Sequence, residues 1–181
     1  MISKITTGLA LLTLLSLTSC NSTIDVAQER RATNERAFRA FADSTDFQRV
    51  TVPGITGSGF IYLKVTKAGD ASVGVDYTDA VTLFRDAYST SDWIKDNLKA
   101  MRVRQTLDLN SVQQETVASL PVGLQIAVQN LHQGAEASIV VPWYLNTNNM
   151  LERTESYTSL YYRVRLGSVI KPSTKQGPYT L

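Results

Sequence analysis

The stretch Ser119–Leu145, SLPVGLQIAVQNLHQGAEASIVVPWYL, decides how the rest of the chain is read. Leu120, Leu124, Val128 and Leu131 recur at steps of four, four and three, which puts them on one helical face. Pro121 stands near the start of that helix, where a missing N–H costs nothing. Gly134 stands just past its end, where a left-handed residue makes a good stop. His132 then falls in the last turn, with its charged form favourably placed against the helix dipole. From Glu136 to Trp143 the period changes to two, Ala137, Ile139 and Val141 alternating with Ser138, Val140 and Pro142. A short helix turned tightly onto a buried strand is the expected core.

Strand periodicity continues on both sides of this stretch. In FIYLKVTKAG (60–69), Phe60, Tyr62 and Lys64 alternate with Ile61, Leu63 and Val65, and Gly69-Asp70 closes the run as a turn. Ser72 to Leu83 reads as a half-exposed antiparallel strand with Val73, Val75 and Tyr77 on one face. Phe84 to Ser91 is a third strand or its bulged continuation, Asp92 to Met101 a helical turn or a loop, and Val103 to Leu109 alternates again. Downstream, Asn146 to Thr158 is a polar loop and SLYYRVRLGSVI (159–170) the last strand. Upstream, Asp25 to Asp43 is helix-like, with Val26, Ala37, Phe38, Phe41 and Ala42 on one side and an arginine-rich face on the other. Thr33 or Asn34 could restart that helix as a cap. One helix among antiparallel strands gives an α+β fold, an antiparallel sheet wrapped around a central helix, with an N-terminal helical extension.

The first residues carry a different signal. Lys4 is a positive n-region, and Leu9–Leu17 is an apolar run too short to span a bilayer. Leu17-Thr18-Ser19-Cys20 matches a bacterial lipobox, in which the cysteine thiol accepts a diacylglyceryl group. Cys20 is the only cysteine, so no disulfide contributes to stability. The expected organisation is a signal peptide over 1–19, a lipidated tether, helix and linker over 20–58, a folded domain over 59–170 and a tail over 171–181. Membrane attachment is through the lipid on Cys20. The polar NSTID that begins at Asn21 holds one acidic residue, which favours the periplasmic face of the outer membrane over surface export.

Composition narrows the chemistry. Without Lys4, 17 basic residues face 16 acidic ones, which argues against a nucleic-acid partner and supplies no steering field. One histidine, no thiol besides Cys20 and scattered carboxylates leave no metal-ligand set, and no cofactor is expected. Asp76 and Asp79 are close in sequence but lie along an ordinary polar strand edge. Gly54, Gly57 and Gly59 precede a strand rather than a helix, so they do not form a phosphate loop. Aromatic and aliphatic residues facing the helix remain, and an apolar concavity with a few hydroxyls suits a proline side chain. Such a site can also lower the ~18–20 kcal/mol barrier to rotating a peptide bond, because the twisted amide is less polar than the planar one.

Four stretches resemble the FKBP-type peptidyl-prolyl isomerases: VDYTDAV (75–81), AYSTS (87–91), the 120–145 region with its Pro121, Gly123, Gly134, Pro142 and Leu145, and SLYYRVRL (159–166). Together with the lipidated helical segment, the arrangement is similar to Bacteroidetes-type lipoproteins carrying such a domain. The resemblance implies a catalytic pocket of Tyr77, Tyr88, Leu124 and Tyr162. It also implies substrate-binding roles for Ser89, Leu107 (or Leu109), Val122 and Thr147. Several of these differ from the family's usual residues: Ser89 replaces an aspartate, Leu124 the tryptophan floor, Thr147 a tyrosine, and Asn146-Thr147-Asn148 the A-Y-G run. The implied partners are proline-containing segments of exported proteins, whose folding the domain would assist. The alternative is a catalytically inactive accessory subunit of an outer-membrane protein complex. A third reading is a glycan-binding lipoprotein with a stacking patch of Trp93, Trp143 and Tyr144.

Overall fold

The structure is a computed structural model that describes residues 25–51, 59–100, 102–104, 114–146 and 155–172. Cys20, Leu107, Leu109 and Thr147 lie outside the described residues. Helix α1 covers 25–39 and is followed by strands β1 (Gln48–Val50), β2 (Ile61–Lys67), β3 (Asp70–Gly74) and β4 (Ala80–Ser89). Then come α2 (Thr90–Lys95), β5 (Arg102–Arg104), β6 (Gln114–Thr116), α3 (Val122–Gln129), β7 (His132–Gln133), β8 (Glu136–Val141) and β9 (Leu160–Ile170).

The main sheet is antiparallel in the order β1-β2-β8-β9-β4-β5, with β6 also paired to β4, while β3 and β7 form a separate small ladder. Its register explains its two faces. Leu63, Ile139, Tyr162 and Ala87 are successive cross-strand partners, as are Tyr62, Val140, Tyr161 and Tyr88 one residue away. Because strand side chains alternate, these two rows point to opposite sides.

The first row faces α3. Leu120, Leu124, Val128 and Leu131 are all buried against it, in one cluster with Ile61, Ile139, Tyr162 and Leu166. Gly123 permits the close approach, since a Cβ there would lie 2.2 Å from Val141 Cγ1. Pro121 caps α3, its carbonyl accepting from Leu124 N (2.8 Å) and Gln125 N (3.0 Å). The second row faces α1. Phe38 packs 4.9 Å from Tyr62, Phe41 lies 5.0 Å from Phe47, and Trp93 of α2 stacks on Tyr161 at 4.2 Å. Burying aliphatic side chains on one side of the sheet and these rings on the other is a large share of the fold's apolar stabilisation.

Local details depart from the sequence expectations. Helix α3 ends at Gln129, so His132 is an exposed strand residue opposite Gly74 rather than a last-turn residue. Gly134 does adopt φ +83°, but in the turn between β7 and β8, and not as the helix cap. The run 72–83 is two strands broken by a turn at 75–79, which removes Tyr77 from any strand. Helix α1 runs unbroken through Thr33 and Asn34. The Asn34 carboxamide donates to Arg30 O (3.1 Å) and accepts from Ser159 N (3.0 Å), tying the helix to β9 instead of restarting it. Val26, expected on the apolar side, is 55% exposed.

Candidate functional site

The inner side of the sheet is covered by α3, which packs most closely on β2 and β8, with β9 and the turn after β8 beside it. Tyr162 sits in the middle of the inner row, fully buried, and its hydroxyl donates to Asn146 Oδ1 at 3.1 Å. Asn146 closes the short 3-10 turn Trp143–Leu145, which Pro142 begins as β8 leaves the sheet. Leu145 reaches back over the start of β2, within 2.8 Å of where a Gly59 Cβ would stand. Leu124 is also fully buried, and Val122 is half-buried at the helix start and packs on the same cluster. Leu124, Val122 and Tyr162 belong to one apolar cluster, and Asn146 reaches it through the Tyr162 hydroxyl.

Tyr88 is not. The register pairs it with Tyr161, and it lies in the outer aromatic cluster 4.7 Å from Trp93. The wall position opposite Tyr162 belongs to Ala87, which is fully buried. This corrects the sequence assignment by one residue, and it replaces a ring in the cleft by a methyl group. The alternation was legible: Val81, Leu83 and Ala87 share the inner face of β4, with Arg85 between them. Arg85 is buried there and donates to Glu115 at 2.9 and 3.3 Å, a bidentate pair that the sequence reading did not foresee.

Ser89 precedes α2 and shares a hydrogen bond of 2.9 Å with the Ser91 hydroxyl, so its oxygen serves the strand–helix junction. Tyr77 is 52% exposed on its turn. That turn is held firmly: Asp79 Oδ2 accepts from Asp76 N (2.7 Å) and from Lys171 Nζ (2.8 Å). Lys171 also reaches Asp76 Oδ2 (2.8 Å) and Gly74 O (3.0 Å), and the neighbouring carboxylates, Asp76 first and then Asp79, raise its pKa above the ordinary lysine value. Asp79 is wholly buried, so Lys171 supplies the countercharge for a carboxylate withdrawn from water. Trp93 does not join Trp143 and Tyr144 in a patch, being stacked on Tyr161 instead.

The fold itself matches known structures. A peptidyl-prolyl cis-trans isomerase from Pseudomonas syringae pv. tomato superposes with a TM-score of 0.61 at 14% identity, over 80% of this chain and 96% of that one. FkpA from Escherichia coli gives 0.64 at 15% identity, over 89% of this chain and 68% of its own. The domain has the FKBP-type fold. A structure of the three FKBP domains of wheat FKBP73 also gives a match, with a TM-score of 0.53 at 14% identity over 70% of this chain and 52% of that chain. No family model matches the sequence, and no curated protein matches it. The FKBP-type architecture is thus shared with these structures at low sequence identity. Leu124 and Tyr162 are packed in the apolar core, with the Tyr162 hydroxyl and the Asn146 carboxamide hydrogen-bonded at its edge.

Proposed function

We propose that the chain is an envelope lipoprotein, anchored through Cys20 at the periplasmic side of the outer membrane. In this reading its FKBP-like domain binds proline-containing segments of exported proteins and assists their folding. The observation that carries it is the Tyr162–Asn146 hydrogen bond at the end of the α3–β9 seam. It sets a tyrosine hydroxyl and a half-buried carboxamide at the edge of the apolar core, and a peptide carbonyl that takes the tyrosine proton displaces Asn146 as its acceptor while a proline ring is buried. Isomerisation needs no more than that environment, since the twisted amide is favoured by a less polar site. Ala87 and the Leu124 floor make the wall and base small, so turnover is expected to be slow.

Those same two residues favour a second reading, in which the module is catalytically silent and serves as an accessory subunit of an outer-membrane protein complex. An exchange assay on a short Ala-Pro peptide separates the two. With full chain present, the first reading expects cis/trans exchange faster than in buffer, and Tyr162→Phe to slow it. A rate equal to that of buffer, with the protein folded, removes the isomerase and leaves the accessory role.

A further inference from the structure

The Pro142–Asn146 turn has two sides. On one, Asn146 receives the Tyr162 hydroxyl at the mouth of the cleft. On the other, Trp143 and Tyr144 face Phe60 and Tyr62 across a separate groove of about 380 Å³ between α1 and the strand ends. That volume falls in the range of specific binding sites, ~300–1,000 Å³. Its walls are aromatic and its rim is charged. Glu35 accepts from Arg31 Nε at 2.8 Å and faces Arg39 Nη2 at 3.7 Å, so one carboxylate serves two guanidinium groups. Arg31 also lies 5.3 Å from the Trp143 ring centre, and Arg49 lies 3.8 Å over Phe60. The rim thus carries more positive than negative charge. The Arg31 and Arg39 side chains remain 55% and 78% exposed, and Tyr144 is 43% exposed.

We propose that this groove is a second peptide-binding site, for an extended segment that carries a proline or aromatic residue flanked by carboxylates. Aromatic-lined grooves take extended polyproline-type segments because the chain is already ordered before it binds. Guanidinium groups in surplus over their carboxylate select an acidic flank through charge-assisted hydrogen bonds. The inference rests on the reading that the cleft takes proline-containing segments. Cleft and groove share the 142–146 turn, so one client chain crossing that turn engages both, and binding at one raises the local concentration at the other.

The test uses the full-length chain in detergent and a fluorescein-labelled peptide, Ala-Pro-Trp-Pro-Glu-Glu-Glu, with a Lys-Lys-Lys counterpart. The acidic peptide is expected to bind more tightly than the basic one. Arg31→Gln/Arg39→Gln and, separately, Tyr144→Ser are expected to weaken it by about tenfold or more. Exchange on a short uncharged Ala-Pro tetrapeptide is expected to stay unchanged in both variants. Equal affinity for the two peptides, or an acidic-peptide affinity that neither variant alters, overturns the proposal. So does binding of anionic phospholipid vesicles with no binding of either peptide. If the tetrapeptide does not bind at all while the groove variants still lose the acidic peptide, the cleft reading fails and the groove stands.

Discussion

At Gly123 the helix and sheet approach so closely that a Cβ would stand 2.2 Å from Val141 Cγ1 and 2.9 Å from Cγ2. Gly123→Ala therefore forces helix and strand apart, and a loss of about 1–3 kcal/mol is expected in urea denaturation, the usual cost of overpacking. Leu124 obeys the same constraint. A tryptophan there looks from sequence like a restoration of the pocket floor, but Leu124 is fully buried, and Leu124→Trp is expected to lower stability by a similar ~1–3 kcal/mol rather than to improve binding. Thermal melting of that variant beside wild type checks this. The residue scale is also where sequence reading slipped. Tyr88 resembles the aromatic wall, yet its neighbour Ala87 holds that place, because a shift of one along a strand moves a side chain to the opposite face. Following the alternation from Val81 and Leu83 leads to Ala87; matching residue type leads to Tyr88.

The elements that the sequence shows best are those with a long period. Strands β2, β8 and β9 and helices α1 and α3 lie where hydrophobic spacing placed them, give or take their ends, whereas β4 takes in the end of the expected strand 72–83 and most of the next run. Strands β1, β6 and β7 span two or three residues each and exist through their partners, so no local pattern could announce them. The docking of α1 was hidden for a related reason. Phe38 and Phe41 look like the apolar side of any surface helix, and only the sheet register reveals Tyr62 and Tyr161 waiting beneath. Phe38→Ala is expected to cost about 3–5 kcal/mol, measured as a shift of the denaturation midpoint. Two ion-paired groups contribute to the pH response, Arg31 with Glu35 within α1 and Lys171 with Asp76 and Asp79. Arg31 holds the Glu35 carboxyl below its ordinary value, so this contribution is present above pH 4.5 and is lost as pH falls through the lower folded value. Lys171, raised by Asp76 and Asp79, works in the opposite direction: its contribution is complete below pH 10.5 and disappears as pH rises through the higher folded value. Melting temperature followed against pH is expected to fall at both ends. Lys171→Met removes the alkaline decline and lowers the plateau, because Asp79 is left buried without its countercharge.

Across the whole molecule, one sheet carries two different cores, an aliphatic one under α3 and an aromatic one under α1. The α+β class was legible because a helical period over 120–131 gives way to a strand period over 136–143 within the long 119–145 stretch. The cleft was legible only in part. Leu124, Val122 and Tyr162 converge, while Tyr77, Tyr88 and Ser89 go elsewhere, and Asn146 enters as a hydrogen-bonding partner that its sequence neighbours did not suggest. Convergence of this kind is set by tertiary approach, which residue type alone does not encode. The most direct test of the central claim is amide chemical-shift mapping of the full-length chain with a short, uncharged Ala-Pro peptide. Perturbations are expected to gather at Val122–Gln125, Leu145–Asn146 and Leu160–Tyr162, and to shrink in Tyr162→Phe. Absence of any perturbation at millimolar peptide, or perturbations confined to α1 and Tyr144, would contradict a proline-binding cleft between α3 and β9.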